Sequence, residues 1–443
     1  MILITVSPSF MRNVLIISPH FPPINAADMH RVRHSLPYFQ EMGWNPMVLA
    51  VDPEKIEGSR DFLLLHTVPD SANVQHVGAF STTWTRRLGV GNPALRSLAH
   101  HWWRGSQLLK NEPFDLVYFS TTAFPVTILG RYWKARFGIP YVIDVQDPWL
   151  SRHIVEAPKE EQLPKAQWAY RMSQVLEPIA MGGVDGIISV SQGYCDTLVQ
   201  RYPNIRPDDC AVIPFGAASV DFDVLDGTEV ENPFFSPDDD FINVAYVGRA
   251  GHDMDQAAHG LFGAFARGLR DAPELFEHVR MHFVGTRYAP DGQASPTLLP
   301  IAEQYGVVDY VMEQTARVPY FQALNLLRNA DMVVLLGSTD PNYTASKLYP
   351  YILARRPLLA VFNENSSVVD VLEATEAGTA VTYTEDEGRD ALAGRTEQAW
   401  TRILKRLPYT PDTNWEAFAP YTAEAMTRRQ VRVFNRVVAA ASR

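Results

Sequence analysis

At 443 residues with a net charge of −11, the chain has length for two or three domains and is too acidic for a protein whose main partner is nucleic acid. Hydrophobic residues at 46% and charged residues at 20% are ordinary for a globular protein and exclude a disordered one. The two cysteines, Cys195 and Cys210, make no disulfide framework and lack metal-ligand spacing, so a reducing cytoplasm is expected.

Residues 1–10 read as an extension ahead of the fold. Ser7-Pro8-Ser9 breaks their apolar run, no basic stretch precedes it, and the first strand opens just after Met11. No later stretch reaches the roughly 18 apolar residues of a spanning helix.

Residues 11–216 alternate strand and helix. Apolar runs at Val14–Ser18, Met47–Val51, Leu116–Ser120, Tyr141–Val145, Gly186–Val190 and Ala211–Pro214 predict covered strands. Helical patterns reach to about Met42 and cover Val126–Phe137, Ala166–Met181 and Gly193–Arg201. That order predicts a parallel sheet with outer helices, whose ligands meet the loops at the carboxyl ends of the strands. The first such loop carries His20, Asn25 and Arg31. Ser120-Thr121-Thr122 ends a later strand. Asp147 stands just past Tyr141–Val145, where a carboxylate can reach a crevice and stay hydrated. A turn aspartate before Pro148 is the plainer alternative. The first loop lacks GxGxxG, which argues against a nicotinamide site. Trp84–Lys110 holds Arg86, Arg87, Arg96, Arg104 and Lys110 among tryptophans, with no acidic residue. That composition suits a peripheral membrane contact or an anionic-acceptor site; core tryptophans with solvated arginines are the plainer alternative. Val155–Lys165 reads as a charged, proline-punctuated loop.

Residues 217–240, rich in Asp, Pro and Gly, read as a linker whose acidic runs are solvated. A second α/β domain is expected over 241–414. Its strands are Ile242–Val247, Arg280–Val284, Val307–Gln314, Met332–Leu336, Pro357–Phe362 and Ala380–Tyr383, with helices over Gln256–Leu269 and Tyr320–Asn329. Gly248 and Arg249 follow its first strand. Thr344–Val361, TASKLYPYILARRPLLAV, reads as polar loop, short helix and strand, placing Ser346 and Lys347 at a helix N-terminus. Two cations and free N–H groups there suit a diphosphate; a capped surface helix with a solvated lysine, and a surface salt bridge for Arg249, are the plainer alternatives. Residues 415–443 form a helical pattern with Arg428, Arg429, Arg432 and Arg436.

The motifs HFPPINAADMHR, VIDVQDPW, AVIPFG, YVGR and TASKLYPYILARRPLLAV, in this order, resemble those of GT-B glycosyltransferases, in particular the large retaining family four. The resemblance spans nearly the whole chain. It implies two Rossmann-like domains facing across a cleft, with the 415–443 helix crossing back to the first. It implies a nucleotide-sugar donor in the second domain, as a substrate and not a cofactor, and no metal requirement. Arg249 and Lys347 would steady the departing diphosphate and Asp147 would lie near the sugar carbon. Gly248, Gln314, Ser346 and Tyr349 would line the donor, with Gln314 near the base. His20, Asn25 and Arg31 would line the acceptor side. The acceptor class implied is a sugar or lipid-linked precursor of a polysaccharide or glycoconjugate, at the inner face of a membrane. Two positions depart from the family: Pro350 replaces its ribose-holding glutamate, and Met254 replaces a lysine. Asp340 or Tyr349 would then have to hold the ribose. A GT-B sugar-nucleotide epimerase and a non-catalytic, transferase-like partner protein are the alternatives.

Overall fold

The computed structural model describes residues 11–87, 91–150, 164–236, 238–287, 294–339, 346–384 and 386–442. The 1–10 extension, most of the Val155–Lys165 loop, and Asp340 and Thr344 lie outside them. The chain forms two compact units, residues 1–216 with 423–443, and residues 217–422.

The first unit is built on a parallel seven-stranded sheet. Its strands are β1 (Arg12–Ile17), β2 (Trp44–Val51), β3 (Asn73–Val77), β4 (Leu116–Ser120), β5 (Tyr141–Val145), β6 (Gly186–Ser189) and β7 (Cys210–Val212), in the order β3-β2-β1-β4-β5-β6-β7. β4 and β5 are buried along their whole length, which is why both read as unbroken apolar runs. β3, NVQHV, was not anticipated. It is a sheet edge, mostly polar and half-exposed, so it lacks the hydrophobic signal of the inner strands.

The Ala423–Ala441 helix completes this unit. Its Phe434 is fully buried against Phe39, Trp44 and Tyr118, with ring centroids 5.9, 5.4 and 4.9 Å away. Gln430 adds a buried hydrogen bond to Ser35 Oγ at 2.7 Å. Residues 415–422, expected to be part of this returning helix, belong instead to the second unit.

The second unit holds a parallel six-stranded sheet. Its strands are β8 (Ile242–Val247), β9 (Val279–Val284), β10 (Val311–Gln314), β11 (Met332–Leu336), β12 (Leu358–Asn363) and β13 (Thr379–Tyr383), in the order β10-β9-β8-β11-β12-β13. The stretch read as a linker is not extended: Ser219–Asp226 is a helix, and its Asp221 is buried and accepts from Tyr320 Oη at 2.6 Å.

Each sheet reverses its strand order at one place. In the first unit the chain leaves β1 for β2 and β3 on one side and returns to β4 on the other. In the second, β8 is flanked by β9 and β11 in the same way. Loops splay apart at such a point, and the carboxyl strand ends open a crevice there.

Candidate active site

The crevice of the second unit lies beside β8 and β11, and it gathers Arg249, Lys347, Tyr246, Asp253 and Ser338. Arg249 donates to Asp253 from both terminal nitrogens, at 2.6 and 2.7 Å. This fork-to-fork pairing fixes the guanidinium plane. Ser338 Oγ, just past β11, donates to the same carboxylate at 2.7 Å. Burial alone would raise the Asp253 pKa. The bonds from Arg249 and Ser338 outweigh it and hold the group below the usual carboxylate range. Gly251 leaves room for this ion pair, since a Cβ there would stand 2.3 Å from an Arg249 nitrogen and 2.5 Å from Asp253 Oδ1.

Lys347 reaches back to the end of β8. Its Nζ donates to Tyr246 Oη at 3.0 Å and to the Arg249 carbonyl at 3.2 Å, and lies 4.9 Å from the Tyr246 ring centroid. Tyr246 Oη donates to the same Arg249 carbonyl. Gly248, at φ +133°, makes the approach possible: a Cβ there would fall 2.6 Å from Lys347 Nζ. Burial is the main cause that pushes Lys347 down to about 7, and the neighbouring Arg249 adds to it; Asp253 opposes them. The pair is thus a fixed guanidinium beside an ammonium that lacks a carboxylate of its own. An anion entering there restores the lysine's charge.

Two expectations for this unit, the helix N-terminus and Tyr349, are amended, and three further residues are placed. The Leu348–Leu353 helix has only six residues, so its N-terminus adds little and Lys347 itself supplies the charge. Ser346 is half-buried just before that lysine. Tyr349 is 7% exposed and packs on Tyr421 and Phe418 in the hydrophobic core, so it does not face a ribose. Met254, at the family's lysine position, is fully buried under Tyr246. Gln314 ends β10, two strands from β8, or roughly 10 Å across the sheet.

The crevice of the first unit lies beside β1 and β4. Asp28 is its organiser. Its carboxylate accepts from His20 Nδ1 at 2.9 Å, from Thr121 Oγ1 at 2.9 Å, and from the Thr122 N–H and hydroxyl at 3.0 and 3.2 Å. It thereby joins the loop after β1 to the loop after β4. Burial would raise Asp28, but these donors keep it ionised, lowest of all through His20. Burial would likewise lower His20, and the Asp28 bond and charge reverse that, leaving its pKa raised. With Nδ1–H committed to Asp28, Nε2 is the face His20 offers to a ligand.

Asp147 is exposed at the end of β5. The protein around its carboxyl, and then the Asp28 charge, raise its pKa. Asn25 is half-buried and its backbone N–H is tied to the Ser59 carbonyl at 2.9 Å. Arg31 does not face an acceptor. It is 2% exposed, and its guanidinium pairs with Asp144 at 2.9 Å and donates to the Ile213 and Pro214 carbonyls at 2.6 and 3.0 Å. It braces the end of the sheet.

Sequence reasoning missed Asp28, Tyr246, Asp253 and Ser338. For Asp253 the four-residue spacing from Arg249 was a usable signal. Asp28 gave none, because its threonine partners lie more than ninety residues away.

The Trp84–Lys110 region is also amended. Arg96 is 3% exposed and bonds the Phe80 and Lys55 carbonyls, Arg104 bonds Gln75, and Arg86 pairs with Glu57. Arg86, Arg96 and Arg104 are therefore tied to the protein, whereas Trp84, Trp102 and Trp103 are 72%, 44% and 59% exposed. Among the described residues no helix is long and apolar enough to cross a membrane.

Residues 30–216 match the family model for the glycosyl transferase 4-like domain. Among solved structures, the chain is similar to an α,α-trehalose 6-phosphate synthase of Burkholderia multivorans (14% identity, 98% of each chain, TM-score 0.58). It is also similar to a glycosyltransferase of Rickettsia africae (11% identity, 97% of this chain and 99% of that one, TM-score 0.54). A third likeness is to HepE of Anabaena, solved with UDP-glucose (17% identity, 97% and 99%, TM-score 0.52). No curated protein matches by sequence.

Proposed function

We propose that this chain, whose residues 30–216 match the glycosyl transferase 4-like domain, is a GT-B glycosyltransferase that moves a sugar from a nucleotide-sugar to an acceptor hydroxyl. The observation that carries the proposal is the pair Arg249 and Lys347 at the β8/β11 crevice, held by Asp253 and by the Tyr246 and Arg249 oxygens. As the glycosidic bond breaks, negative charge grows on the leaving diphosphate. Cations already fixed in place stabilise that charge more than they stabilise the intact donor. In this reading the two side chains do so without a metal ion, and transfer persists in EDTA. UDP-glucose, bound by the Anabaena protein, is the first donor to test.

The first unit's crevice is the acceptor half of the proposal. Asp147, with its raised pKa, and His20, oriented by Asp28, hold or relieve the attacking hydroxyl. The family resemblance carries retention of anomeric configuration. The His20–Asp28 pair favours a second reading, in which Nε2 takes the hydroxyl proton during direct, inverting displacement. NMR of the first-formed product anomer separates the two.

The exposed Trp84, Trp102 and Trp103 support a peripheral lipid contact, in keeping with a lipid-linked acceptor. Vesicle flotation should therefore depend on these tryptophans.

The test of transfer is kinetic. Arg249→Ala and Lys347→Ala should each lower transfer from a nucleotide-sugar by about a hundredfold, with the circular dichroism spectrum unchanged. Full activity in either folded variant contradicts the proposal.

A further inference from the structure

The arginine run of the last helix is not used by the transfer reaction, and the fold gives it a place. Arg429, Arg432 and Arg436, with Val433, line a cavity of about 270 Å³ whose other wall is Ala211 and Ile213, at and just beyond β7. At helical spacing the three arginines share one face over two turns. β7 is the last strand of its sheet, and Arg429 closes its outer edge by donating to the Val212 carbonyl at 2.6 Å. Arg429 is half-buried, whereas Arg432 and Arg436 are exposed.

The nearby carboxylates are engaged elsewhere. Asp209 accepts twice from the Arg206 guanidinium, at 3.1 and 2.8 Å, and once from its backbone N–H at 2.9 Å, and feels Arg436 only as a more distant charge. Glu424 pairs with Arg428, which is not part of the cavity lining. Among the described residues neither Arg432 nor Arg436 has a carboxylate ion pair. Like charges three and four residues apart on a helix repel, so the cluster is unfavourable unless an anion shares it. On a chain of net charge −11, three guanidinium groups around one cavity run against the overall balance.

We propose that this cavity binds a phosphoryl group, in a site separate from the nucleotide-sugar crevice and belonging wholly to the first unit. Planar guanidinium groups match phosphate oxygens in pairs, which a single lysine cannot do. The volume is just below the roughly 300 Å³ at which pockets for whole small molecules begin, so a phosphate or sugar phosphate suits it better than a nucleotide. The apolar wall of Ala211, Ile213 and Val433 gives the remainder of such a ligand a surface to rest on. The phosphoryl group has two sources, a soluble phosphate ester or a lipid headgroup.

The experiment reads the arginines individually. The full-length protein is treated with phenylglyoxal, in inorganic phosphate or in chloride of equal ionic strength, and the modified arginines are quantified by mass spectrometry. Phosphate should slow modification of Arg432 and Arg436 by about tenfold and leave Arg428 unchanged. In parallel, wild type and the Arg432→Ala/Arg436→Ala double variant are sedimented with phosphatidylcholine vesicles, with and without phosphatidic acid. Protection by phosphate, with vesicle binding equal in both proteins, assigns the site to a soluble phosphate ester. Binding to phosphatidic acid that falls about tenfold in the double variant assigns it to a lipid phosphate. Equal modification in phosphate and chloride, together with no arginine-dependent vesicle binding, overturns the proposal. So does protection of Arg428 to the same degree, which would show general screening only.

Discussion

Lys347 is the residue on which the proposed chemistry turns, and its environment makes its behaviour with pH predictable. Its pKa is pushed down to about 7 from the ordinary 10.5. Between those values the unfolded chain keeps a proton that the folded protein has released, so stability of the free protein rises with pH across that window. Below pH 7 the penalty of burying the ammonium is present in full. Lys347→Met should therefore be more stable than wild type at pH 6, by roughly 1–3 kcal/mol in urea unfolding, and the gap should close toward pH 10. A variant that is less stable at pH 6 would show that the lysine is a structural tie and not a strained, ligand-awaiting charge. A bound diphosphate supplies the missing counter-charge and raises the pKa. Its affinity should thus weaken from pH 7 to 9, by at most about tenfold per unit, and Lys347→Arg should flatten the trend. The cations of this site were legible in the sequence because they follow apolar strands at carboxyl ends. The groups that hold them were not. Tyr246 acts through a turn geometry that no spacing encodes, the four-residue spacing of Asp253 from Arg249 was a signal left unread, and Tyr349 sits beside a lysine in sequence yet packs on Tyr421.

Among the elements, inner strands were the easiest to read. β4, β5, β8 and β11 were placed residue for residue, since each is covered on both faces and bounded by turn-forming residues. The failures share a cause: where one face meets solvent, the apolar signal thins. That holds for β3 and for the Ser219–Asp226 helix in the supposed linker. The most consequential element is the Ala423–Ala441 helix. It is distant in sequence from the sheet it covers, and its Phe434 fills a pocket of Phe39, Trp44 and Tyr118. Phe434→Ala leaves an aromatic-sized cavity and should destabilise the first unit by about 3–5 kcal/mol. A change under about 1 kcal/mol in chemical denaturation would mean that the helix is loosely held.

For the whole molecule, two units with separate hydrophobic cores are expected to unfold as two cooperative steps. Scanning calorimetry should show Phe434→Ala lowering one transition and a nucleoside diphosphate raising the other. At a hundredfold excess over its Kd, the ligand adds about 2.7 kcal/mol to the unit that binds it. A single transition that responds to both changes would contradict this division of labour. In the proposed function the second unit binds the donor and the first the acceptor, and the two join at residues 216/217 and 422/423. The claim under all of this is that Arg249 and Lys347 together hold a diphosphate. Titration calorimetry with a panel of nucleoside diphosphates, on wild type, Arg249→Ala and Lys347→Ala, tests it most directly. The account predicts that at least one nucleotide binds wild type and that either substitution weakens it by about tenfold or more. Equal affinity in all three proteins, or no binding of any nucleotide to wild type, would contradict it.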